Sequence, residues 1–144
     1  MEFRDDLDWI DYGPRGFNLH AGPFFIAHYE GDEYRMYLPI QDHHLNQGGV
    51  VHGGVSMTLA DNAMGMAAWH AADGTPTATI EFGMKFIAAA KGGGPLYGRL
   101  LIERRTRDLC FQTAELWSHG RKVATASGVW KYINPKSGWD RDKR

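Results

Sequence analysis

One cysteine, Cys110, occurs in 144 residues. That excludes an intrachain disulfide framework and every zinc site needing two cysteines. No apolar run approaches the roughly 20 residues that span a bilayer. The acidic start MEFRDDLDWIDYGPRG also lacks the apolar stretch of a signal peptide. Neither sign of charge dominates, since 16 Lys and Arg against 17 Asp and Glu leave a formal charge of -1. Such a near-neutral chain lacks the field of a general nucleic-acid or polybasic membrane binder. G-x-S-x-G and H-E-x-x-H are absent, and a phosphate loop fails because Gly54-Val55 stand where Lys and Ser/Thr are required. No repeat or low-complexity tract occurs. These absences predict a cytoplasmic protein, one domain over residues 1–144, that contacts neither nucleic acid nor membrane.

Apolar residues at 43% and charged residues at 23% give the balance of a folded chain. Glycine is the excess: 18 residues, nearly twice the average usage of about 7%. Residues 1–20 read as an N-terminal extension, a short helix followed by a turn at Gly13-Pro14, and residues 134–144 as a fraying tail. Residues 24–40 read as a hairpin about Gly31-Asp32, and 41–52 as a loop. Residues 53–71 are the clearest helix, with Val55, Leu59, Ala63 and Met66 at helical spacing and most of its circumference predicted to be buried. Then the period changes. Ile80, Phe82, Met84 and Phe86 alternate onto one face of a strand over 79–86, and three more strands are expected at 96–105, 111–118 and 122–133. One long helix wrapped by an antiparallel sheet is an α+β arrangement.

Seven glycines fall in two short stretches, Gly48 to Gly54 and Gly92 to Gly94. The first opens the long helix, where free N–H groups and the positive dipole end favour developing negative charge. Such donors suit an oxyanion hole for acyl transfer; a plain tight turn is the alternative. Asp61 lies mid-helix among apolar residues. A carboxylate is costly to bury there unless paired or employed, and burial would suit it to act as general base or nucleophile. A hydrogen-bonded core carboxylate is the alternative. Asp42, His43, His44 and His52 lack metal-ligand spacing, so no metal is expected. Cys110, beside Phe111, reads as a small buried apolar residue.

Asn46, His52-Gly53-Gly54 and Asp61, with the segment Thr79 to Gly93, resemble the hotdog-fold acyl-CoA thioesterases of the phenylacetate-degradation (PaaI-like) group. The resemblance runs from about residue 24 to 133. It implies a hotdog fold, homodimers with active sites shared at the interface, often dimers of dimers, and an acyl-CoA substrate without further cofactor. It assigns Asp61 as general base or nucleophile and the Gly53 N–H as the group polarising the thioester carbonyl. Asn46 and His52 would orient that carbonyl or the attacking water, and Thr79 of the opposite subunit would position the water or the aspartate. Glu81 and Gly83 depart from the usual Asp and Asn, and Ala88-Ala89-Ala90 replaces a proline-containing turn. Gly54, Lys91, Arg104 and Arg105 are candidate substrate contacts, the three cations for CoA phosphates. Met57, Met64, Met66 and Trp69 are candidates for an acyl pocket. A non-catalytic acyl-CoA-binding module and a hotdog hydratase or dehydratase remain as alternatives.

Overall fold

The computed structural model describes residues 1–133; the tail expected to fray lies outside them. Its elements are β1 (Ile10–Asp11), α1 (Phe17–Ala21), β2 (Phe25–Glu30), β3 (Glu33–Pro39), α2 (Gly53–Ala71), β4 (Thr77–Phe86), β5 (Pro95–Arg105), β6 (Leu109–Ser118) and β7 (Arg121–Tyr132). A single 3-10 turn, Asp42–His44, precedes α2. All pairings are antiparallel in one seven-stranded sheet of order β1-β2-β3-β5-β6-β7-β4. The helix lies against the inner face of this curved sheet, and β1 and β4 remain its two free edges.

Helix α2 buries one stripe, Ser56, Leu59, Ala60, Ala63, Met64, Ala67 and Ala68. Their spacing of three and four residues gives a single inward face, and the alanines let the sheet approach closely. The burial is therefore narrower than the composition suggests. Met64 belongs to the core, whereas Met57 and Trp69 are exposed, because they project from the opposite side. Cys110 is buried and free.

Strand β4 departs from its apparent alternation. Thr79 pairs with Trp130 and Glu81 with Val129, leaving Ile80 as an extra residue in a bulge. A bulge turns the side-chain phase over. Thr77 and Thr79 face the helix before it, bonding to Gly65 O and Asp61; Phe82 and Met84 face the core after it. Ile80, expected on the same face as Phe82 and Met84, is 56% exposed. Gly128 on β7 makes room for this irregularity, since a Cβ there would lie 2.5 Å from the Glu81 carbonyl oxygen.

The N-terminal expectation reverses in order. Ile10 pairs with Ile26 in an extended segment before the Gly13-Pro14 turn, and the short helix follows it. Aromatic packing holds the chain extended. Trp9 sits edge-on to Tyr37 at 4.6 Å between centroids, and Phe3 packs on Tyr37 and Tyr97.

Candidate active site

The start of α2 is organised by the loop before it. Asn46 Oδ1 accepts from the N–H groups of Gly48 and Val50, at 2.8 and 3.3 Å. His44 is buried, with Nε2 2.7 Å from Ala21 O and Nδ1 accepting from Gln41 N. Burial carries its pKa below the usual imidazole value, against the pull of the Ala21 carbonyl. The His44 carbonyl in turn accepts from the N–H of His52. His52 then caps the helix, Nδ1 accepting from Gly54 N at 2.9 Å.

This capping selects one donor. The N–H groups of Val55 and Ser56 return to His52 O, and that of Gly54 is held by the His52 ring. Among the described residues nothing accepts from the N–H of Gly53. Gly53 lines a largely apolar cavity of about 430 Å³ with Val51, Ser56, Phe86, Ile87 and Ala90 among others. A side chain at 53 would meet the Phe86 ring at 3.2 Å, so glycine lets the aromatic ring lie over bare backbone. A larger hollow of about 720 Å³ lies on the outer face of the sheet and holds neither Gly53 nor Asp61.

Asp61 is eight residues along the same helix, about 12 Å away along its axis and turned by roughly 80°. It is half-buried rather than sealed in the core, on a stretch of α2 reached by side chains from both β4 and α1. From the β4 edge, Thr79 Oγ1 donates to Asp61 Oδ1 at 2.7 Å. From the β1 side, Asn18 Oδ1 accepts from Asn62 Nδ2 at 2.9 Å. The resemblance draws Thr79 from the opposite subunit. Here Asp61 is met by Thr79 of its own chain, because the bulge after Thr79 leaves that residue turned to the helix.

Other expected contacts divide. Gly54 has its N–H engaged by His52 and is not a free donor. Asn46 spends its side-chain oxygen on the loop. Lys91 stays at the Gly53 end, bridging Val50, with its N–H on Ser118 Oγ at 3.0 Å. Arg104 and Arg105 do not join it. Strand β5 carries them to the far end, where Arg105 Nη1 donates to Ala71 O at 2.5 Å, a helix length of about 28 Å from Gly53. Among the described residues no group of three His, Cys, Asp or Glu side chains could hold a metal ion. No helix among them is long and apolar enough to cross a membrane. One residue not singled out for the site from the sequence borders it, Phe86 over Gly53; it ends the alternating run of β4.

Residues 48–125, from the glycine loop into β7, match the family model described as the thioesterase superfamily. The chain belongs to the thioesterase superfamily. Within this superfamily it is 34% identical over 110 residues to a Pseudomonas aeruginosa protein named as an esterase, covering 76% of this chain and 82% of that one. Human acyl-coenzyme A thioesterase 13 is 24% identical over 91 residues, covering 63% and 65%. In fold, the PaaI protein of Escherichia coli superposes with a TM-score of 0.72 at 18% identity, covering 80% of this chain and 83% of that one. The architecture is the hotdog fold. Thioester hydrolysis is the chemistry common to the superfamily named here.

Proposed function

We propose that this protein hydrolyses an acyl-CoA to the free acid and CoA, in a homodimer whose subunits share each active site. The observation that carries the reading is the unpaired N–H of Gly53 at the positive end of α2. It is a preorganised donor for the oxygen of a thioester carbonyl, which becomes an oxyanion when the carbon is attacked. Asp61, its Oδ1 held by Thr79, acts as general base or nucleophile on the same carbon. His52 keeps Gly53 as the free donor, Asn46 shapes the loop, and Lys91 is the cation placed to meet CoA phosphates.

The helix spacing supports sharing. A reacting carbonyl needs donor and carboxylate each within about 3 Å of it, and about 12 Å of helix separates the two in one chain. A second copy solves this by setting its Gly53 opposite this chain's Asp61 and Thr79. The free edge β4 supplies a surface for that pairing, with Ile80, Phe86 and Ile87 exposed.

A panel of acyl-CoAs assayed with a thiol reagent tests the activity, and Asp61→Asn is expected to lower kcat at least 100-fold. Sharing has its own test. Gly53→Pro removes the N–H at a first-turn position whose backbone suits proline, the Phe86 ring giving way to the added carbons. Mixed with Asp61→Asn under subunit exchange, it should recover about a quarter of wild-type activity, half the dimers being mixed and each carrying one intact site. Asp61→Asn mixed with Thr79→Val should gain nothing beyond the residual activity that Thr79→Val itself contributes, because those residues belong to one half-site. Equal recovery in both mixtures would sink this arrangement.

A further inference from the structure

The chain before β1 is built into a second cavity. Tyr97 Oη donates to Met1 O at 2.8 Å and accepts from Gly120 N at 3.1 Å, which ties the first residues to the β6–β7 turn. Trp9 Nε1 donates to Arg4 O at 3.2 Å, closing a loop that contains Asp5. Phe3 and Trp9 thereby pack on Tyr37. Tyr37 lies on the outer face of the sheet, since its neighbours Met36 and Leu38 point into the core. The three rings, with Asp5, Ile40 and the Gly93-Gly94 backbone, line a cavity of about 390 Å³, within the range of small-molecule sites. Phe3, Trp9 and Tyr37 are only half-buried, and Asp5 is exposed beside them.

One short loop joins this cavity to that of Gly53. Ala90 lines the one and Gly93 the other, and three residues of chain span at most about 11 Å. Exposed Lys91 lies between them. Ser118 Oγ accepts from the Lys91 N–H at 3.0 Å, and His119 Nε2 stands 2.9 Å from Gly92 O, so the loop is held from the β6–β7 turn. The pantetheine arm and diphosphate of CoA are together longer than this separation. Arg105, and Arg104 beside it, sit at the opposite end of the sheet, so charge gives a nucleotide little hold here.

We propose that the aromatic cavity is the subsite for the adenine of CoA. The inference rests on the thioesterase reading above and extends it to the nucleotide. The purine stacks on Trp9, the largest of the three rings. Asp5 accepts from the exocyclic amino group, as carboxylates do from base amines. Lys91 meets the diphosphate between the two cavities.

An acyl-CoA and the same acyl group on pantetheine, which lacks the nucleotide, separate the subsite from the chemistry. Trp9→Leu keeps an apolar side chain against Tyr37 and removes the stacking surface. We expect its KM for acyl-CoA to rise about tenfold with kcat within twofold. Its kinetics on acylpantetheine should stay within twofold of wild type. Asp5→Ala disturbs no packing and should raise KM for acyl-CoA about fivefold, again sparing acylpantetheine. In calorimetry, adenosine 3′,5′-bisphosphate should bind wild type and bind Trp9→Leu at least fivefold more weakly. Equal losses on both substrates, an unchanged KM for acyl-CoA in both variants, or equal nucleotide binding overturns the subsite while the thioesterase reading stands. Wild type that releases no thiol from any acyl-CoA overturns both.

Discussion

Gly128→Ala tests whether the bulge in β4 is held by a missing side chain. The added methyl would lie 2.5 Å from Glu81 O, and 2.8 and 2.9 Å from two atoms of the Trp130 ring. Ordinary carbon contacts begin near 3.5 Å, so something must move by about 1 Å. Neither obstacle yields easily. The oxygen belongs to the β4 backbone, and Trp130 is fully buried. Overpacking of this kind costs about 1–3 kcal/mol, and a fixed backbone obstacle places this case near the upper end. For a chain of this size each kcal/mol lowers Tm by about 2–4 °C, so Gly128→Ala should melt about 6–12 °C below wild type. Gly65→Ala is the matched control, because its methyl approaches the same indole at 3.5 Å, an ordinary contact. Replacing a helix-interior glycine gains about 0.5–1 kcal/mol, so Gly65→Ala should melt a few degrees higher. Thermal unfolding followed by circular dichroism at one protein concentration reads both. A Gly128→Ala protein melting within 2 °C of wild type would refute the steric argument. So would both variants shifting in the same direction.

Thr79→Val removes the hydroxyl donated to a charged oxygen at 2.7 Å, a bond of about 1.5–3 kcal/mol when its acceptor is ionised. Exposure of the site trims that, and kcat should fall about tenfold, with Thr79→Ser restoring most of it. Acid sensitivity should trace in part to His44, whose folded pKa lies below its ordinary 6.5 through burial. The sign follows from proton uptake by the unfolded chain. The contribution is fully present above about pH 6.5 and is lost as pH falls toward the folded value, by at most about 1.4 kcal/mol per pH unit. Urea unfolding at pH 7.5 and 5.5 should show a smaller difference for His44→Gln than for wild type.

The elements most legible in the sequence are those with uniform local chemistry. Two glycines and a run of alanine and methionine delimit α2 to the residue, and Gly31-Asp32 marks the hairpin turn. The bulge at Ile80 escaped because nothing in an unbroken alternation signals an extra residue; only the partner strand, with glycine at 128, requires it. The N-terminal order escaped for a related reason. Trp9 and Phe3 are held by Tyr37 and Tyr97, residues distant in sequence, and that packing outweighs local helix preference. In the proposed site, Gly53, Asp61 and Thr79 are named from residue type and resemblance, but the sequence draws Thr79 from the opposite subunit, whereas β4 brings it to Asp61 of its own chain. Phe86 was not named for the site, since its place over Gly53 depends on where the end of β4 lies against the start of α2.

The bulge also sets how β4 can change length. Elsewhere in the strand, loss of one residue turns part of it over, exchanging Thr79 or Phe82 and Met84 for residues meant for solvent. Loss of Ile80 itself leaves Thr77, Thr79, Phe82, Met84 and Phe86 all toward the helix, because its neighbours already occupy consecutive places opposite Trp130 and Val129. One position in β4 is thus a joint at which the strand can shorten without being re-read, and the half carrying Thr79 and the half carrying Phe86 can vary in sequence independently.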